Sequence, residues 1–373
     1  MGGDGVWMRW ADAQLDAVRA ADRWRAVHTF DAKGPAGSLA GSPAISFTSN
    51  DYLGLATHPG VIAAAHAAID MWGTGASASR ILGGSRPCHD ELEAELADWK
   101  HVERAVLLSS GFAANLAVLT VFGGPDVTVF SDELNHASII DGCRLGRSTV
   151  RVHRHRDVAQ LDDLLAATPG RKLVVTDSVF SMDGDVAPVD ELGRCCARRG
   201  ALLVLDEAHA VLGPDVATID GLELLRVGTM SKALGALGGW VGGPAPFVDL
   251  IVNRARTFIF STALSPADAA AALAAVQISR GEEGVALRSR LRAHIDLVRP
   301  GHPSPIVPIV LGAEAAALEA AASLAARGLY VPAVRPPTVP VGSSRLRVTL
   351  SAGHTREMVE QLVAALDELG IER

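Results

Sequence analysis

The sequence predicts an α/β fold, with a mainly parallel, doubly wound sheet in a large domain and a smaller C-terminal α+β domain after it. Three observations lead there. Apolar runs such as LVV (173–175), ALLVL (201–205) and LLRVG (224–228) are continuous rather than alternating, as in strands buried on both faces. Helical stretches separate these runs, and the order β-α-β-α calls for parallel pairing. Beyond Pro266 the chain changes to a long helical region followed by mixed strands and helices.

In chain order, residues 12–30 read as an N-terminal helix and the Gly/Pro/Ser-rich stretch near 34–43 as a connector, giving a lead-in over 1–45. The large domain spans 46–275. Its strands are predicted at 104–109, 126–130, 148–153, 172–176, 200–205, 224–228 and 238–242, with helices at 87–100, 111–122, 157–167 and 188–199. The helical region after Pro266 runs to about 298. In the C-terminal domain, 276–373, PIVPIVLG, LYVPAV and RLRVTL read as strands, and 313–327 and 355–369 as helices. Gly328 stops the first of these helices, and Met358, Leu362, Leu366 and Leu369 line one face of the second.

Composition removes several functional classes. The chain has 373 residues, 49% hydrophobic and 20% charged, enough for a sizeable core and unlike a disordered chain. Thirty-four basic against 42 acidic residues leave a net charge of −8, which argues against a general nucleic-acid or anionic-membrane binder. The cysteines are Cys88, Cys143, Cys195 and Cys196, with no C-x-x-C pair, so neither a disulfide framework nor a metal site is expected. No stretch reaches the roughly 20 apolar residues of a membrane span, and the N-terminus lacks a basic-then-apolar leader. A cytoplasmic location is the expectation.

Lysine usage is informative. Only Lys33, Lys100, Lys172 and Lys232 occur among the 34 basic residues, so arginine serves wherever a generic cation suffices. A lysine retained in the glycine-rich RVGTMSKALGALGG (226–239) points to chemistry a guanidinium cannot perform, since an amine can deprotonate and form imines. Upstream, the apolar strand ALLVL ends in Asp206, with His209 three residues on. Ligands in such sheets gather at the carboxyl ends of strands. A helicase reading of DEAH requires a G-x-x-x-x-G-K-[ST] loop, and no lysine here follows a glycine. A dinucleotide-binding reading requires G-x-G-x-x-G, which is missing after the first strands.

Pyridoxal phosphate (PLP) enzymes need a lysine that forms an imine with the cofactor and an acid facing the pyridinium nitrogen. Lys232 and Asp206 fit those needs at the ends of neighbouring strands, with Thr229 and Ser231 as hydroxyl donors to the phosphate. SSGFAAN (109–115) adds a strand-to-helix turn whose N–H groups and dipole suit an anion, although such a turn alone is commonplace. His136 opens a predicted helix, where an imidazole can stack on a planar ring.

NDYLGL (50–55), SSGFAAN (109–115), NHASIIDG (135–142), VFSMDGD (179–185), DEAH (206–209), TMSKALG (229–235) and RLRVTLSAGH (345–354) together resemble the α-oxoamine synthases. These fold-type-I PLP-dependent transferases join an amino acid to an acyl thioester with loss of CO₂. The resemblance spans nearly the whole chain in family order. It implies that Lys232 carries the cofactor as a Schiff base, that Asp206 pairs with the ring nitrogen, and that His209 and Ser181 lie near the phenolic oxygen. It implies that His136 stacks on the ring, and that Ser110, Gly111, Phe112, Thr229 and Ser231 surround the phosphate. Ser261 and Thr262 resemble the position that reaches this phosphate from a partner subunit, so a homodimer with shared sites is implied. Arg347 resembles the clamp on the amino-acid carboxylate, and Arg25 an arginine near the far carboxylate of the acyl substrate.

Segment 335–354 most resembles the member that uses L-alanine and a pimeloyl thioester, with CoA or an acyl carrier protein as the thiol. A synthase using glycine and an acetyl thioester is the alternative, and a non-catalytic subunit of the same fold a remote one. Ala210 stands where the family usually has glycine, and VLGPDVATIDG (211–221) shortens the loop that follows.

Overall fold

The computed structural model describes residues 5–21 and 23–373. Its centre is a seven-stranded sheet in the order Arg104–Leu108, Gly239–Gly243, Leu224–Thr229, Ala201–Asp206, Arg171–Asp177, Val127–Asp132, Thr149–His153. Gly239–Gly243 runs antiparallel to both its neighbours, and the rest of the sheet is parallel. Every strand predicted for this domain is present, displaced by at most two residues.

Side-chain alternation explains the unbroken apolar runs. Val204, Leu173 and Val175 pack on one face, with the helices Gly111–Phe122 and Ala245–Arg254. Leu203, Leu205 and Val174 pack on the other, with Val158–Ala166 and Val189–Arg199. Both faces are covered, so neither parity of residue can be polar. Each of these buried side chains contributes roughly 1.5–3 kcal/mol relative to exposure.

A three-stranded antiparallel sheet, Ile306–Gly312, Ser344–Thr349 and Ala333–Val334, forms the C-terminal part with helices Glu314–Ala325 and Arg356–Glu368. Three differences from the sequence expectation have local causes. The helical region after Pro266 is two helices, Pro266–Arg280 and Glu282–Val298, because Gly281 adopts an extended conformation between them. LYVPAV is split, because Pro332 has no N–H to continue a ladder. Its first half, Leu329–Tyr330, pairs with Ile45–Ser46, and its second, Ala333–Val334, with Arg345–Leu346.

The third difference is at the N-terminus. The helix is Val6–Ala20 rather than 12–30, and it buries none of its residues. The expected connector is instead a meander of three short strands, Phe30–Ala32, Ala36–Leu39 and Ser42–Ser46.

This frame brings one set of strand ends together. Asp177 and Asp206 are register partners, Asp206 pairs with Val227, and Gly239 lies between Thr229 and Leu108. The loop at 47–55 lies against the C-terminal sheet through Thr349 N to Phe47 O and Ala352 N to Tyr52 O, both 2.8 Å.

Candidate active site

Lys232 lies just past the strand Leu224–Thr229, and its Nζ is 2.8 Å from His209 Nε2. Burial pushes the Lys232 ammonium below the ordinary lysine range, while the Asp206 charge works in the opposite direction. His209 is buried, and burial first, then the Lys232 and Arg347 charges, hold it well below its ordinary pKa. It is therefore neutral. Tyr52 OH is 2.5 Å from His209 Nδ1 and donates to Asn50 Oδ1 at 3.1 Å. Burial raises the Tyr52 pKa, so the phenol keeps its proton. One assignment satisfies the chain: His209 Nδ1–H donates to Tyr52, and Nε2 accepts from Lys232.

Asp206 is 5% exposed. Its Oδ2 accepts from Asn115 Nδ2 at 2.6 Å and its Oδ1 from Ala208 N at 2.9 Å. Asn115 also donates to Ser138 Oγ at 2.8 Å, while its own Oδ1 is buried without a hydrogen-bond partner among the described residues. His136 caps the helix Ala137–Gly146. Its backbone N–H donates to Asp177 at 2.8 Å, leaving an exposed ring set edge-on to Phe112 at 6.4 Å. Burial of the adjacent Asp177, and then the charge of Asp206, push the Asp177 carboxyl well above its ordinary pKa. Desolvation lowers the His136 pKa, so this ring too is held neutral near pH 7.

Ser110 caps the helix Gly111–Phe122, its Oγ accepting from Ala113 N at 3.1 Å. Beside this N-terminus, Thr229 Oγ1 and Ser231 Oγ are 2.7 Å apart. The approach is close: a Cβ at Gly239 would fall 2.3 Å from the Ser110 carbonyl. Helix N–H groups, two hydroxyls, an exposed imidazole, a buried carboxylate and an amine of lowered pKa suit a flat cationic heterocycle with a phosphate arm. Pyridoxal phosphate fits this set.

Arg347, 7% exposed, lies on the strand Ser344–Thr349. Among the described residues its partners are uncharged: Ser181 O at 2.6 Å, Thr349 Oγ1 at 2.9 Å and Asn50 Oδ1 at 3.3 Å. Burial lowers its pKa from the ordinary arginine value. The backbone carbonyl of Ser181 thus reaches Arg347. Arg25 is exposed on a groove of about 740 Å³ shared with Met182, Leu318, Tyr330 and Pro332, next to the Arg347 strand. Ser261 and Thr262 lie beside Arg80 and Ser109.

The structure adds Asn50, Tyr52, Asn115, Ser138 and Asp177. Asn50, Tyr52, Asn115 and Ser138 sit inside motifs that the sequence singles out; Asp177 shows only as a strand-end acid.

Comparisons with known proteins give the family. The sequence profile of the class I and II aminotransferases matches residues 42–366. An 8-amino-7-oxononanoate synthase of Anaeromyxobacter dehalogenans (strain 2CP-1) is 48% identical, covering 96% of this chain and 94% of the relative. One of Bordetella petrii is 45% identical over 88% of this chain and 89% of the relative. Among solved structures, an SPT with PLP superposes with TM-score 0.89 at 28% identity, covering 98% of this chain and 99% of the other. The 8-amino-7-oxononanoate synthase of Francisella tularensis gives TM-score 0.73 at 27% identity, over 88% and 98%. This chain belongs to the class I and II aminotransferase family, on its 8-amino-7-oxononanoate synthase branch.

Proposed function

We propose that this chain is a PLP-dependent acyltransferase that condenses L-alanine with a pimeloyl thioester. The products are 8-amino-7-oxononanoate, CO₂ and free thiol, a step of biotin biosynthesis. The observation that carries the reading is the Lys232–His209 contact beside a buried Asp206, together with an Arg347 whose partners among the described residues are uncharged.

Pyridoxal phosphate supplies an electron sink for charge left at the substrate Cα. Lys232 would hold the cofactor and move the proton at the substrate Cα, a task that the lowering of its pKa by burial favours. Asp206, fixed by Asn115 and the Ala208 amide, holds negative charge at the ring nitrogen. His136 covers the ring face. Neutral His209, locked by Tyr52, presents a fixed Nε2 acceptor to Lys232, and His209 and Ser181 would lie near the ring oxygen. Ser110, Gly111, Phe112, Thr229 and Ser231 hold the phosphate. Arg347 grips the alanine carboxylate through a two-point pair, which sets the Cα bond that is presented for cleavage. Arg25 meets the far carboxylate of the acyl group at the end of its groove.

Ser261 and Thr262 serve the partner's phosphate in a homodimer, and the enzyme works in the cytoplasm on a CoA or carrier-protein thioester. Thiol release from pimeloyl-CoA with alanine, glycine and serine in turn is the test. Release with alanine is expected; release with glycine plus acetyl-CoA, and none with alanine, overturns the substrate assignment. Lys232→Ala is expected to bind cofactor without a borohydride-reducible linkage and to show no turnover.

A further inference from the structure

We propose that His155 is a positioning residue for Arg347, acting as a two-armed clamp on the Ser181–Asp185 loop. The inference rests on reading Arg347 as the amino-acid carboxylate holder. His155 follows the strand Thr149–His153. Its Nδ1 is 3.0 Å from Asp132 Oδ1 and its Nε2 2.8 Å from Asp185 Oδ2. A ring with a carboxylate at each nitrogen donates from both only as the imidazolium. The ring also stands edge-on to Phe180 at 4.4 Å.

The charged groups around it come from several elements. The His155 amide donates to Glu133 at 2.9 Å, and Arg156 reaches Asp132 through its backbone at 2.8 Å and Asp185 through its side chain at 3.1 Å. The Asp185 charge also reaches His302. Burial would depress the His155 pKa, but hydrogen bonds and charge from Asp132 and Asp185 outweigh it and raise it to about 9.

Asp185 is the base of a closed loop. Its carbonyl accepts from Phe180 N at 3.0 Å, and Gly184 N donates to Phe180 O at 2.8 Å. The loop then supplies contacts to two arginines of the C-terminal sheet. Ser181 O accepts from Arg347 Nε at 2.6 Å, Met182 O from Arg345 at 3.1 Å, and Asp183 pairs with Arg345 at 2.5 Å. Removing the charge from His155 leaves Asp132 and Asp185 facing each other without the cation between them. Among the described residues Arg156 is then the one cation left on Asp185, so the loop is held less firmly and the acceptor that orients Arg347 Nε is loosened.

The sign follows from the raised pKa. The clamp is complete below the ordinary histidine value of 6.5 and is lost as pH rises through about 9.

The test is His155→Gln in the holoenzyme, whose amide donates to only one of the two acids, with Arg347→Gln as reference. The amino-acid KM is expected to rise about tenfold with kcat within about twofold and the thioester KM unchanged, the pattern of lost substrate positioning. Wild-type amino-acid KM climbs between about pH 8 and 10, and the variant lacks that step. Hydrogen exchange at the Phe180 and Gly184 amides speeds up in the variant holoenzyme. If His155→Gln does not fold, Asp185→Asn removes the same arm from the loop side and gives the same KM rise. An unaltered KM and unaltered exchange in a folded variant, or a wild-type KM flat through pH 9, overturns the inference. An Arg347→Gln enzyme with normal amino-acid KM instead overturns the reading of Arg347, and the exchange readout still judges the clamp.

Discussion

Gly235, three residues after Lys232, permits a calculation from the structure. It has φ +63°, and an added Cβ would lie 2.3 Å from Ala56 N, 2.6 Å from Ala56 Cα and 2.8 Å from the Leu55 carbonyl carbon. All three are backbone atoms, so no side chain can rotate away. In Gly235→Ala the left-handed conformation costs about 1–2 kcal/mol and the forced separation about 1–3 kcal/mol more. Gly221 is the control: φ is +76° with nothing within 4 Å of the added atom, so Gly221→Ala bears only the first cost. At about 2.1 cal/mol/K per residue, the unfolding entropy of a chain this long is about 0.8 kcal/mol/K. The thermal midpoint should fall about 3–6 °C for Gly235→Ala and about 1–3 °C for Gly221→Ala. The two differ further in turnover. Gly235 N donates to Lys232 O at 3.0 Å, so lifting this loop off Leu55–Ala56 carries Lys232 with it. A displacement approaching 1 Å should reduce kcat/KM by about ten- to a hundredfold, with Gly221→Ala unaffected. Matched thermal scans and steady-state kinetics decide it. If the two variants prove alike in both, the close approach at Gly235 plays no part in placing the lysine.

Three further outcomes are expected. Glu207 sits buried between Lys100, at 2.8 Å, and Arg226; among the described residues, Glu207→Gln takes the carboxylate from Lys100 and leaves Arg226 only the exposed Asp215 at 3.7 Å, which should cost about 3–5 kcal/mol, read as a lower thermal midpoint. His89, His209, His294 and His354 are buried with pKa values lowered first by desolvation, so the unfolded chain binds protons that the folded one does not. Stability should therefore fall as pH drops below about 6.5, by at most about 1.4 kcal/mol per pH unit for each histidine, which thermal scans between pH 7 and 5 will register. Arg25→Ala should raise the KM for the pimeloyl thioester about five- to tenfold while leaving that for alanine unchanged. The same change should abolish discrimination against an octanoyl thioester, which lacks the far carboxylate.

The sheet was legible because its strands carry their own signal. A strand such as Ala201–Asp206, covered on both sides, must be apolar at every position until it emerges at the edge, and the acid at its end marks that edge. The meander at 30–46 carried no such signal, since its strands are half-exposed and rich in small and polar residues; pairing, not composition, makes them strands. The N-terminal helix was misplaced for a related reason. Its apolar residues Val6, Trp7, Met8, Trp10, Leu15 and Val18 are exposed, so no packing against a core fixes where it starts and stops.

Among site residues, Lys232, Asp206 and His209 stood out because few residue types can perform their chemistry, and the motif around each is short. His155 gave no comparable signal. Its partners, Asp132 and Asp185, lie 23 and 30 residues away along the chain and resemble ordinary surface acids until the fold closes.

The sequence by itself determined which segments form the sheet, which amine and carboxylate are available for imine chemistry, and which end of the sheet they occupy. Those properties follow from local apolar periodicity and from the reactivity of single side chains. Only the tertiary structure decided that Tyr52 locks His209 across 157 residues, and that Asn50 meets Arg347 across 297. Such contacts exist because Tyr52, His209 and Arg347 are buried together, and desolvation there turns an ordinary phenol, imidazole and guanidinium into groups of fixed charge and orientation.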